Sequence, residues 1–221
     1  MIALVALFIA AYLVGSVPVG YLYAKRKGID ITKVGSGNIG ATNIGRHFGK
    51  GPAIAVFLMD LLKGVVPVVV ARFLLVGTDF NQDYWLLLIG IAAVLGHTFS
   101  PWLGFKGGKG IATGLGMCFA AAPLLALIAF SVFGVFIALT RIVSLSSLVG
   151  TFTVAPMAWL LSATTELTYS TPMIVLLAVI TAYVFYKHRD NIVRLARREE
   201  KPFKFARKPK VTEETGSARG S

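Results

Sequence analysis

The chain is poor in charge, poorer in acid and almost free of cysteine, and each scarcity excludes something. Only 14% of its 221 residues are charged, against about a quarter in ordinary soluble domains. With 56% hydrophobic residues and a mean hydropathy of +0.74, a soluble globular domain is excluded and a polytopic membrane protein implied. Acids are the scarcer sign, 10 against 22 Lys and Arg, for a net charge of +12. The bases form no single stripe suited to nucleic acid, and no nucleic-acid partner is expected. They sit between apolar runs and at the C-terminus, as on a membrane face rich in anionic lipid. The lone cysteine, Cys118, lies in an apolar run and excludes an internal disulfide. The N-terminus lacks the basic region of a signal peptide: Lys25, Arg26 and Lys27 follow the apolar run instead of preceding it. It reads as a retained first span with its N-terminus outside. No cluster of metal-ligating residues is visible, so no metal and no cofactor are expected.

Apolar runs long enough to cross a bilayer, about 20 residues, lie near 2–23, 53–75, 85–103, 142–162 and 171–186. The stretch 110–140 is too long for one crossing, and Pro123 divides it. Loop charge sets the count. The 24–50 loop carries Lys25, Arg26, Lys27, Lys33, Arg46 and Lys50 and belongs inside, as does "GFKGGKG"; "VGTDFNQDY" has acids and no base and belongs outside. Counting 110–140 as two crossings places Arg141 and the basic C-terminal segment inside as well. The prediction is an all-α polytopic protein with seven transmembrane helices, some short or broken, N-terminus outside and C-terminus inside. Residues 1–200 form one transmembrane domain; residues 201–221 read as a basic, polar tail without order. No fixed-period repeat is present.

Residues 35–43, "GSGNIGATN", satisfy G-x-G-x-x-G, and Asp60 follows at a suggestive distance. A dinucleotide fingerprint must join a strand to a helix. Here the glycines follow a membrane helix and Asp60 sits inside the next span, so that reading fails on context. The phosphate chemistry of the pattern survives. Gly37 and Gly40, with Gly35, free the backbone to aim N–H groups at one anion. Ser36, Asn38, Thr42 and Asn43 add short polar groups, and Arg46 adds a planar fork suited to phosphate. The second basic loop, "GHTFSPWLGFKGGKGIATGLG", repeats the recipe: Lys106 and Lys109 bracket Gly107 and Gly108. It is not a Walker A motif, because Gly110 and not Ser or Thr follows Lys109. Two phosphate cradles on one face imply two phosphate-bearing groups.

Through "GSGNIGATN", "DLLKG", "GHTFSPWLGFKGGKGIAT", the Arg141–Ser144–Ser147 segment and "KHRDNIVRL", the chain resembles the bacterial acyl-phosphate:glycerol-3-phosphate acyltransferases over most of residues 1–195. The resemblance implies an integral enzyme of the bacterial cytoplasmic (inner) membrane, with its active site facing the cytoplasm. It implies a fatty acyl phosphate as donor, glycerol 3-phosphate as acceptor, and lysophosphatidic acid and phosphate as products. It further implies that Ser36, Arg46 and one lysine of the second loop hold glycerol 3-phosphate. Lys106 is the first choice for that lysine, with Lys109 not separated from it. His188 and Asn191, three apart on one helix, would contact the acyl carbonyl. A His-x-x-x-x-Asp base is missing: Pro52, Trp102 and Val193 stand five positions beyond His47, His97 and His188. Acyl phosphate is already activated, and its own phosphate oxygen can take the acceptor's proton, the substrate-assisted scheme the resemblance implies.

Secondary candidates are Lys63, His97, Ser144 and Ser147. Asp60 and Lys63 are three apart in a membrane helix, where charge is costly; they are either a structural brace or, through Lys63, a contact to acyl phosphate. His97 is either a site residue or a packing residue. Ser144 and Ser147 share a helical face with Arg141. A transporter of a phosphorylated anion is the rival reading, because broken helices aimed at an anion also build transporters. Composition leaves the oligomeric state open.

Overall fold

The computed structural model describes residues 2–80 and 82–206. Those residues contain eleven α-helices and two short 3₁₀ turns. The first span, Ile2–Arg26, is broken into α1 (Ile2–Ser16) and α2 (Val19–Arg26). Pro18 stands at the break; it has no N–H to donate and disfavours helix in the residue before it. A short amphipathic helix, α3 (Ala41–Phe48), precedes the 25-residue α4 (Lys50–Leu74). Next come α5 (Asp83–Thr98), α6 (Ile111–Ala121) and α7 (Pro123–Thr140). Then α8 (Val143–Phe152) and α9 (Val154–Thr164) share one broken span, followed by α10 (Thr171–Lys187) and α11 (Arg189–Ala196).

Among the described residues, five helical runs are long and apolar enough to cross a membrane, six if the α10–α11 pair, bent by 63° at His188, counts as one span. Pro123 does divide the 110–140 stretch, taking the first position of α7 where a missing N–H costs nothing. The expected seven requires α6 to count as a crossing. Its 11 residues reach about 16 Å, half of a hydrocarbon core.

Two helix pairs hold the bundle. Between α1 and α5, a Cβ at Gly15 would lie 2.0 Å from Ala93 O and one at Gly96 2.1 Å from Tyr12 O. Between α4 and α6, a Cβ at Gly64 would lie 2.0 Å from Thr113 O and one at Gly116 2.0 Å from Leu61 O. Small residues let backbones approach this closely where lipid offers no competing hydrophobic drive. At one end of the bundle Ser170 Oγ donates to Asp83 Oδ1 at 2.7 Å, joining two acidic loops, "VGTDFNQDY" and "SATTELTYS", the latter with Glu166 and no base. At the other end the basic loops meet. There residues 201–206 form a strap: Phe203 N donates to Arg141 O at 2.7 Å and Ala206 N to Gly45 O at 3.0 Å. The tail expected to lack order is thus seated against α3 as far as residue 206; residues 207–221 lie outside the described residues.

Candidate active site

At the basic end a cavity of ≈ 760 Å³ opens between the two glycine loops, α8, the His188 corner and the strap. Ser36, Asn38, Gly40, Thr42, Asn43, Arg46, Lys109, His97, Ser144, Ser147, His188 and Asn191 all line it. Residues more than 150 positions apart in the chain thereby share one space.

The first loop builds itself around Asn43. This side chain is 1% exposed. Its Oδ1 accepts from Ser36 N at 3.2 Å, and its Nδ2 donates to Ile31 O, Val34 O and Asn38 O at 3.3, 3.0 and 3.0 Å. Asn43 is therefore a clamp that shapes the loop, with no donor left for a ligand, which corrects its expected role. Gly37, at φ +67, donates to Val34 O and does not line the cavity; it makes a turn. Asn38 Oδ1 accepts from Gly40 N at 3.0 Å, so that N–H is also spent. What the loop offers is the Ser36 and Thr42 hydroxyls, the start of α3 at Ala41, and Arg46 one turn on, which donates to Lys201 O at 3.3 Å. A helix start with a guanidinium beside it suits an anion.

The second loop is corrected more sharply. Gly107 N and Gly108 N donate to Thr98 O and His97 O, at 3.1 and 3.0 Å, so these N–H groups fasten the loop to the end of α5 and cradle nothing. A Cβ on Gly107 would lie 2.1 Å from His97 O, so only glycine fits there, and one on Gly108 would lie 2.1 Å from His97 Nε2 and displace the ring. Lys106 is exposed and does not line the cavity, whereas Lys109 does. Gly110, in the left-handed conformation at φ +80, then starts α6 at the cavity wall.

Lys109 Nζ donates to Asn191 Oδ1, Asn191 Nδ2 to Glu200 Oε1 at 2.6 Å, Ser144 Oγ to the same oxygen at 2.8 Å, and Arg194 Nε to Glu200 Oε2 at 2.6 Å. Burial, reinforced by the Arg194 charge, pushes Lys109 down to about 8. Burial alone would raise Glu200, but hydrogen bonds from Arg194, Ser144 and Asn191 outweigh it and hold the carboxyl below its ordinary value. Sequence reasoning assigned neither Arg194 nor Glu200 a role. Arg194 falls inside "KHRDNIVRL"; Glu200 carried no signal, being one acid of a polar stretch.

His188 is 3% exposed and sits at the corner between α10 and α11, as N-cap of the helix that carries Asn191, and both residues line the cavity. Its Nδ1 lies 2.9 Å from Val184 O. A carbonyl only accepts, so Nδ1 carries the proton and the neutral ring presents Nε2 as an acceptor. Deeper in the wall, Lys63 Nζ pairs with Asp60 Oδ1 at 2.6 Å and donates to Val17 O, beside the Pro18 break. His97 Nδ1, 3.7 Å from Asp60 Oδ1, has no hydrogen-bond partner among the described residues. Lys63 itself does not line the cavity; Asp60 does.

Beyond this polar space an apolar crevice continues between α6, α7, α8 and α10, sharing Phe57, Gly110, Ile111, Phe133 and Ser147 with it. A basic, hydroxyl-rich mouth on an apolar crevice suits an amphiphile with an anionic head.

The family model for glycerol-3-phosphate acyltransferase matches residues 5–198. The chain belongs to the glycerol-3-phosphate acyltransferase family. It is 44% identical over 204 residues to the glycerol-3-phosphate acyltransferase of Synechococcus elongatus, covering 90% of this chain and 94% of that one. It is 43% identical over 199 residues to that of Aquifex aeolicus, covering 89% and 97%. Its fold superposes at a TM-score of 0.82, with 39% identity and coverage of 91% and 96%, on a crystal structure of PlsY, an integral membrane glycerol 3-phosphate acyltransferase, in the glycerol 3-phosphate form. The lysophosphatidic acid form of PlsY superposes at 0.80. Like these relatives, the acyltransferase described here is a multi-pass bacterial membrane protein.

Proposed function

We propose that this acyltransferase moves a fatty acyl group from acyl phosphate to the sn-1 hydroxyl of glycerol 3-phosphate. The observation that carries the reading is the single cavity joining two cationic anchors, Arg46 and Lys109, to an apolar crevice. A cationic cavity that opens on an apolar crevice matches a pair of phosphate-bearing substrates of which one carries a hydrocarbon chain.

Arg46, Ser36, Thr42 and the start of α3 bind the phosphate of glycerol 3-phosphate, and Lys109 in place of Lys106 is the lysine that joins them. His188 Nε2 accepts a hydrogen bond from the acceptor hydroxyl and orients it; its polarity suits a hydroxyl donor better than the acyl carbonyl first expected. The hydroxyl oxygen attacks the acyl carbon, the bond from that carbon to the phosphate oxygen breaks, and the departing phosphate takes the hydroxyl proton. No protein base is consumed. The protein contributes positioning and charge stabilisation. Asn191 and Ser144, held by Glu200, shape the wall beside Lys109. Asp60 and Lys63 brace the floor.

The basic end carrying this cavity faces the cytoplasm of the inner membrane. The chain crosses seven times with α6 as a short crossing, N-terminus outside and C-terminus inside. The supporting observation is that both acidic loops meet at one end and the basic loops at the other.

Purified protein in detergent, given palmitoyl phosphate and glycerol 3-phosphate, is expected to release phosphate and form lysophosphatidic acid identified by mass. Turnover with palmitoyl-CoA alone would overturn the donor and the proton route. Absence of turnover with either donor from folded protein would overturn the enzyme reading in favour of transport.

A further inference from the structure

The apolar crevice is built in levels. On α6, Ile111, Gly114 and Cys118 line it in successive turns; on α10, Val184, Ile180 and Leu177 do the same in the opposite chain direction. Ile111 and Ser147 belong also to the polar cavity, so the mouth is at that level. Seven residues separate mouth from floor on α6, about 10 Å of depth at 1.5 Å per residue. The floor is closed by Met117, Cys118, Ala129 and Leu177, which are 1%, 8%, 8% and 0% exposed and belong to the main core of the bundle. Halfway down, Gly114 lines the crevice with open space around it: a Cβ there would have only Val94 Cγ2 in reach, at 4.0 Å. This contrasts with Gly64 and Gly116, whose missing Cβ atoms are demanded by backbone at 2.0 Å. Helix packing does not require glycine at position 114, so its smallness serves the crevice.

We infer that Gly114 and Leu177 set the acyl-chain preference of the enzyme, Gly114 by leaving a passage for the chain below the reacting carbonyl and Leu177 by closing its floor. This rests on the acyl-phosphate reading given above. The occupant is the hydrocarbon chain of donor and product, because the crevice is continuous with the cavity that holds their anionic heads. Its lining is apolar apart from the Ser147, Thr151 and Thr181 hydroxyls and the Cys118 thiol, and the Thr181 hydroxyl is spent on Leu177 O at 2.8 Å. Each methylene kept out of an apolar site costs about fourfold in selection.

The test is a competition. In one competition equimolar butanoyl and octanoyl phosphate, and in another equimolar octanoyl and palmitoyl phosphate, are offered together with glycerol 3-phosphate, and the two lysophosphatidic acids are counted by mass. The product ratio reports relative kcat/KM and is insensitive to the amount of active enzyme. Gly114→Val is expected to lower the octanoyl-to-butanoyl ratio about tenfold or more, because only the longer chain passes position 114, and Leu177→Ala to raise the palmitoyl-to-octanoyl ratio. A ratio within about twofold of wild type in both variants, with turnover retained, would overturn the inference. If Gly114→Val fails to fold, Leu177→Ala decides alone by the same criterion. Wild-type protein that forms neither product would overturn the donor assignment instead, an outcome visible before any variant is compared.

Discussion

Raising the pH should weaken glycerol 3-phosphate binding through one residue, Lys109. Burial and the Arg194 charge hold this ammonium at about 8, against an ordinary value of 10.5. A lysine so lowered is charged below pH 8 and loses its charge as pH rises through 8. A phosphate monoester is already dianionic above about pH 6 to 7, so the ligand changes little over the same range. Binding the dianion favours the charged lysine and draws its pKa back up. Affinity should therefore fall about tenfold per pH unit above 8, and hardly at all between 7 and 7.5. The stability linkage runs the other way: between about 8 and 10.5 the unfolded chain binds more protons at this residue than the folded one, so this lysine adds stability as pH rises. Loss of affinity at pH 9 thus cannot be loss of fold through the same group. The assay is the KM for glycerol 3-phosphate at pH 7, 8 and 9, at saturating palmitoyl phosphate and with donor hydrolysis subtracted. Lys109→Arg, which stays charged throughout, should flatten the profile. A wild-type KM constant from pH 7 to 9, or an equal rise in Lys109→Arg, would refute the reasoning.

The two lysines of the second loop should separate cleanly: Lys106→Ala stays within about threefold of wild-type kcat/KM, whereas Lys109→Ala loses about a hundredfold or more, the scale of one lost charge contact to the reacting groups. Lys63→Met leaves Asp60 as an uncompensated buried charge and should cost about 3–5 kcal/mol of stability in thermal or denaturant unfolding; restoring much of it by adding Asp60→Asn is the expected signature of a brace, and no recovery would argue against one. Asn43→Ala strips partners from three carbonyls and the Ser36 N–H, and should destabilise by about 2 kcal/mol or more while raising the KM for glycerol 3-phosphate. Gly107→Ala must push the loop off His97 O and should abolish activity with a lowered melting temperature; near-normal turnover would show that the loop has room the structure lacks.

How far the sequence reached depended on the physics each feature obeys. Apolar runs, the Pro123 division and loop charge are local, and they sufficed to read an all-helical membrane protein with its basic loops at one end. The glycine motifs were legible as special, but their purpose was not. Spacing alone made Gly107, Gly108 and Asn43 look like phosphate ligands, whereas hydrogen bonding across the fold spends them on shaping the loops. Whether a backbone N–H meets a ligand or a helix-end carbonyl depends on what packs behind it. The choice between Lys106 and Lys109 was undecidable for the same reason: neighbours in a flexible-looking loop differ only in which way the tertiary fold turns them. Arg194 lay inside a motif that gave it no role and Glu200 had no motif to announce it, because it is the tertiary fold that sets Glu200 against Ser144, Asn191 and Arg194. The crevice below the cavity is the clearest case. Its walls come from α6, α7, α8 and α10, and no single helix holds more than a strip of it. Sequence by itself determined the class of molecule, because bilayer insertion is settled segment by segment. Only the tertiary structure decided which polar groups remain free to act, because every buried donor already satisfied within the fold is lost to the substrate.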